Sequence, residues 1–79
     1  MICIATFYSH LGAIRFKREC SAKGLNAKVM PVPRNLSSSC GTCVQFEGEC
    51  PENPPQEVEQ IVACEMDGSY RLLYRAENS

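Results

Sequence analysis

Six cysteines stand among 79 residues, and the redox state of those thiols constrains the fold more than any other feature. Oxidised, they would form a disulfide framework with roughly 15 conceivable pairings and little need for a core. Reduced, they must be buried, react or bind metal. An export signal would show a basic start, an apolar block and a small-residue cleavage site. Residues 1–14 are uncharged, contain His10 and Gly12, and have no Lys or Arg ahead of them. The chain therefore reads as cytoplasmic, with reduced thiols. No apolar run approaches the roughly 20 residues that cross a bilayer. A net charge of −1 lacks the basic footprint of a phosphate-backbone binder. Membrane and nucleic acid are thus not expected partners.

A chain of this length hides only about 60% of its unfolded surface, so its core is thin. With 44% hydrophobic and 22% charged residues, it reads as a single globular domain and not as disorder. Residues 1–7 (MICIATF) form a nearly all-apolar run that predicts an interior strand covered on both faces. Ser9 or His10 opens a helix to about Lys23, Ser9 being the better cap because its hydroxyl can accept an orphan N–H. Ala13, Phe16 and Cys20 share one face of that helix, and Gly24 sits where a left-handed C-terminal cap belongs.

Residues 27–32 (AKVMPV) predict a second strand, placed at a sheet edge because Pro31 has no amide donor. Residues 33–41 read as a loop and residues 43–46 as a third short strand. Asn53 then looks like the cap of a second helix. Pro54 and Pro55 suit a first turn, and Gln56 has the capping-box spacing. Val58, Ile61, Val62 and Met66 supply an apolar stripe, while Glu57 and Glu59 favour the positive helix end. After an Asp67-Gly68 turn, residues 69–75 predict a last strand with Tyr70, Leu72 and Tyr74 on one face. The order β-α-β-β-α-β implies an α+β, ferredoxin-like domain over residues 1–76. Two helices would lie on one face of a four-stranded antiparallel sheet, with a loose tail at 77–79.

Position sorts the cysteines. Cys3 in the first strand, Cys20 on the helix stripe and Cys64 beside Val62 and Ala63 read as small buried hydrophobes. Cys40, Cys43 and Cys50 sit in or beside loops, as Cys-Gly-Thr-Cys, six residues, then Cys. Two chemistries fit. In a redox or transfer pair, one thiolate is the nucleophile and its neighbour resolves the adduct. Arg34 would then lower the nucleophile's pKa, and amides of the Ser-rich turn would aim at it. In the alternative, Cys40, Cys43 and Cys50 hold zinc or an iron–sulfur cluster, for which a fourth ligand is not evident, or the chain is a non-catalytic interaction domain whose thiols do no chemistry. The pair leads into a strand and not a helix, which argues against a thioredoxin fold.

The stretch 30–41, Met-Pro-Val-Pro-Arg-Asn-Leu-Ser-Ser-Ser-Cys-Gly, resembles the signature of a family of small bacterial proteins. They are described as selenium/sulfur (Se/S) carrier-like, a domain of unknown function met mostly in anaerobes. The matching positions are Pro31, Pro33, Arg34, Leu36, Ser37, Ser38, Cys40 and Gly41. The resemblance covers most of residues 2–46. It implies that Cys40 accepts sulfur or selenium as a persulfide or selenopersulfide. Arg34 would be the electrostatic helper, and Ser37, Ser38, Ser39 and Gly41 would surround the terminal atom. It further implies a carrier or accessory protein more than a turnover enzyme, without a resident cofactor. A donor such as a cysteine desulfurase and an unknown acceptor would be its partners, with a homodimer conceivable. Cys43, Gln45 and Cys50 depart from the family pattern. Cys43 could discharge a persulfide on Cys40 by forming a disulfide, which favours a resolving role or a shared metal.

Overall fold

The computed structural model describes residues 1–77. Its elements are β1 (Ile2–Phe7), α1 (His10–Ala22), β2 (Ala27–Pro31), β3 (Thr42–Glu47), β4 (Val58–Cys64) and β5 (Tyr70–Arg75). The strands form one antiparallel sheet in the order β2-β3-β1-β4-β5. The nearly all-apolar β1 is its centre: Cys3, Ile4, Ala5, Thr6 and Phe7 are all buried. Pro31 lies in β2, an edge strand, where a missing amide donor does least harm.

A single helix covers one face. Phe16 on α1 sits between Phe7 of β1 and Phe46 of β3, with ring centroids 5.4 Å away in each case. Ala13 and Cys20 complete the buried helical stripe. Ser9 is the N-cap, its Oγ accepting the Gly12 amide at 3.2 Å. At the far end the Leu25 amide donates to the Cys20 carbonyl at 2.9 Å. The chain passes through Gly24 at φ 79°, a conformation in which a Cβ would be strained. Gly12 answers to space instead. A Cβ there would stand 2.8 Å from the Glu57 Cβ, so the helix start rests directly on the segment entering β4.

The expected ferredoxin-like plan is overturned at the second helix. The segment from Asn53, read as a helix carrying Val58, Ile61, Val62 and Met66, is a turn followed by β4, so the sheet has five strands and the face one helix. The apolar residues at 58, 61 and 62 fit a helical stripe and a bulged strand equally well. Burial on both faces decides the matter. Ile61, Val62 and Ala63 are consecutive and all buried between β1 and β5, and three β-branched residues in the segment favour the pleated surface. Met66, assigned to the stripe, is fully exposed.

The last strand also departs from simple alternation. Its pairing shifts between Ile61 and Val62, which leaves Leu73 as an extra residue. Leu73 and Tyr74 consequently join the helix-side core, while Tyr70 packs on the opposite face. Leu72 is exposed, so Tyr70, Leu72 and Tyr74 do not share a face. Of the tail expected at 77–79, residues 78 and 79 lie outside the described residues. No helix among the described residues is long and apolar enough to cross a membrane.

Candidate functional site

Among the described residues no helix lies on the face of the sheet away from α1, and the segment 32–41 covers part of it. Val32 and Leu36 from this segment, with Met30 of β2, pack on a small cluster of Ile4, Cys43 and Val62. The loop is closed at its base by the Val32 amide donating to the Gly41 carbonyl at 3.1 Å. A turn from Pro33 to Leu36 is closed by a 3.0 Å backbone bond.

Two consecutive residues of β4 pin the loop's serines. Gln60 Nε2 donates to the Ser37 carbonyl at 2.7 Å. Glu59 accepts the Ser39 amide at 3.0 Å and the Ser39 hydroxyl at 2.5 Å. It also accepts Thr6 Oγ1 from β1 at 3.2 Å. In a regular strand, neighbours point to opposite faces. Here the β1–β4 register jumps from Thr6↔Gln60 to Phe7↔Val58, and Glu59 is the bulged residue. Such a bulge re-aims a side chain, and it lets Glu59 and Gln60 reach the same loop. Partial burial would raise the Glu59 pKa. The hydrogen bonds from Ser39, with help from Thr6 and Ser38, outweigh that and hold it below the usual carboxylate value. Ser38 Oγ is buried at this carboxylate without a well-formed bond of its own.

Cys40 follows at once. Its half-buried thiol packs on the helix-side core and donates to the Thr42 carbonyl at 3.4 Å. The Thr42 hydroxyl in turn lies 3.0 Å from His10 Nδ1 at the start of α1. Beside Cys40, Gly41 is exposed with open space where a side chain would stand. Arg34 is exposed in the Pro33–Leu36 turn and makes no hydrogen bond or ion pair among the described residues, so nothing fixes it at Cys40.

Cys43 is only three residues on, yet it belongs to the other side of the sheet. It is wholly buried among Ile4, Val62, Met30, Val32 and Leu36, and its thiol donates to the Pro31 carbonyl at 3.7 Å. Burial, reinforced by the neighbouring Cys40 and Cys64, pushes its pKa up to about 11. Cys50 packs on the helix-side core near Cys3, whose ionisation it further disfavours. Cys3 pairs with Phe46 whereas Cys43 pairs with Thr6, a separation of three residues or about 10 Å along the ladder. Cys50 and Cys43 therefore stand at different ends of the sheet. Among the described residues no three His, Cys, Asp or Glu are grouped as a metal requires. Burial also raises the pKa values of Cys3, Cys20, Cys50 and Cys64.

Thr6, Glu59 and Gln60 were not legible as site residues. A helical reading gives Glu59 to the helix dipole. The signal available was a Glu-Gln pair inside a run otherwise made of Val, Ile, Ala and Cys, which is unexpected in a buried strand unless a bulge turns both toward polar partners.

What this geometry defines is a small α+β domain that carries the half-buried thiol of Cys40 on a loop pinned to β4 at the end of an antiparallel sheet. The family described as "Putative Se/S carrier protein-like" matches residues 2–63, and the chain belongs to that family. It is also similar to an uncharacterized protein, YtiA, of Escherichia coli strain K12. The two are 28% identical over 74 residues, covering 85% of this chain and 82% of YtiA. No solved structure matches.

Proposed function

We propose that the protein carries sulfur or selenium on Cys40, receiving it from a donor persulfide such as that of a cysteine desulfurase and passing it to an acceptor protein. The observation that carries this reading is the placement of Cys40. It is a half-buried thiol on a loop pinned immediately before it, next to the open space at Gly41. A carrier needs a thiol that a partner's sulfur can reach, on a segment held well enough to be recognised.

The transfer needs no net oxidant. The Cys40 thiolate attacks the terminal sulfur of the donor, a Cys40 Sγ–S bond forms as the donor's S–S bond breaks, and the donor leaves as a thiolate. The reverse sequence delivers the atom to the acceptor, and a selenopersulfide follows the same course. Ser39 has both its amide and its hydroxyl engaged by Glu59, so it shapes the loop and does not solvate the terminal atom. Arg34, exposed on the turn, is assigned to steering the donor.

Oxygen-free incubation with a cysteine desulfurase and cysteine, followed by intact mass spectrometry, tests this. The expected product is heavier by one or two sulfur atoms, mapped to Cys40 and absent from Cys40→Ser. Loading that persists in Cys40→Ser, or no loading of the unaltered protein, overturns it.

A further inference from the structure

A persulfide three residues from a second cysteine is chemically exposed. The neighbour can attack the Sγ that carries the sulfur and expel it. In a Cys-Gly-Thr-Cys segment the chain permits that approach, because nothing crowds Gly41. A disulfide requires Cα atoms roughly 4.4–6.8 Å apart and Cβ vectors that face each other. In this structure both cysteines are free, and they pack in separate clusters on opposite sides of the sheet.

The two sides are not equally fixed. Cys43 sits within β3, paired with Met30 of β2 and Thr6 of β1, and cannot leave without breaking two ladders. Cys40 lies in the loop. What precedes it is tied to β4 by Glu59 through Ser39 and by Gln60 through Ser37. Glu59 also holds Thr6, the residue paired with Cys43. One carboxylate thus spans the strand beside Cys43 and the residue next to Cys40.

We propose that Glu59 is a positioning residue that keeps Cys40 on the helix side of the sheet, out of reach of Cys43, so that a carried sulfur is handed on and not expelled as sulfide. This rests on the carrier reading above. Once the latch is released, the Cys43 sulfur attacks Cys40 Sγ. A Cys40–Cys43 disulfide forms, the bond from Cys40 to the terminal sulfur breaks, and that sulfur departs as hydrosulfide, taking up the thiol proton. The departing sulfur keeps the electron pair of the broken S–S bond and is reduced, the Cys43 sulfur supplies the pair of the new bond and is oxidised, and the Cys40 sulfur keeps its oxidation state. Cys43 then has a consequence: the chain holds a discharge route that its own loop keeps closed.

The experiment compares unaltered protein, Glu59→Ala, Glu59→Gln and Glu59→Ala with Cys43→Ser, each loaded with sodium polysulfide without oxygen. Released sulfide and the Cys40–Cys43 disulfide are followed by mass spectrometry, and circular dichroism checks the fold. Glu59→Ala is expected to release sulfide at least several-fold faster and to accumulate the disulfide. Adding Cys43→Ser should abolish both gains, which identifies Cys43 as the attacking sulfur, and amide hydrogen exchange in Glu59→Ala should rise at residues 37–40 alone, where a merely loosened structure would exchange faster throughout the sheet. Glu59→Gln, which can still accept from Ser39, should fall between, and it replaces Glu59→Ala should that variant not fold. Folded Glu59 variants that load at Cys40 and keep sulfur as long as unaltered protein overturn the latch. A protein that never loads overturns the carrier reading alone. In that case, disulfide formation in glutathione disulfide still tests the latch, and equal rates in all variants with Cys43 would sink it.

Discussion

The two faces of the sheet are built on different principles. The helix side is a continuous apolar core in which Phe16 of α1 interlocks with Phe7 and Phe46 of the sheet. The opposite side has a cluster of three buried residues and an irregular segment held by side-chain hydrogen bonds from Glu59 and Gln60. Apolar burial is non-directional and adds up over area. Hydrogen bonds are directional and individually modest. Stability can therefore reside on one face and the positioning of the loop on the other.

The sharpest way to break this comparison is to hollow the helix side. Phe16→Ala should cost about 3–5 kcal/mol, enough to bring a domain of this size close to unfolding in a denaturant titration. A loss under about 1 kcal/mol would mean that the helix face is not the source of stability. Next in size is a chemical contrast across the sheet. With a pKa of about 11 against an ordinary 9.0, Cys43 should alkylate with iodoacetamide about a hundredfold more slowly than a free thiol. Peptide mapping during a time course checks this, and prompt labelling of Cys43 in folded protein would show that the loop does not seal it.

Two smaller tests sharpen the same contrast at the helix start. Gly12→Ala sets a methyl against Glu57 and should destabilise by about 1–3 kcal/mol, as overpacking does. The measure is the shift in melting temperature. Ser9→Ala removes the cap on Gly12 and should cost about 1 kcal/mol, also read by denaturation. Smallest is the acid response of the loop face. The folded Glu59 pKa is depressed, so its contribution is present above its unfolded value near 4.5 and disappears as pH falls through the lower folded value. Hydrogen exchange at the Ser39 amide should rise in that window in unaltered protein, with no such step in Glu59→Gln.

Much of the first half of the fold could be read from the chain. The nearly all-apolar run of β1, the Ser9 cap, the Phe16 stripe, Gly24 and the edge position demanded by Pro31 are local statements, and local chemistry decides them. Cys3 and Cys20 were likewise placed in the core by pattern. The second half was not legible for a physical reason. Val58, Ile61 and Val62 satisfy helical spacing, and Asn53 with Gln56 mimics a cap. Only pairing with β1, some fifty residues earlier in the chain, makes β4 a strand. The bulge at Glu59 exists because of that pairing, so the residue that pins the loop could not be found before the partner strand was known. The loop itself was recognisable from Pro31 to Gly41, but which of its groups face Cys40 depends on β4.

The order β2-β3-β1-β4-β5 places the earliest strand of the chain at the middle of the sheet. Its two partners follow only at residues 42–47 and 58–64. During synthesis β1 thus has nothing to pair with until most of the chain has emerged, and the helix after it has no floor to lie on. Assembly is expected to be late, cooperative and governed by distant closures, in the millisecond-to-second range typical of non-local β topologies. Until then, both the thiol of Cys40 and the one meant to be hidden at Cys43 are equally open to oxidants. Only the completed sheet distinguishes the two thiols.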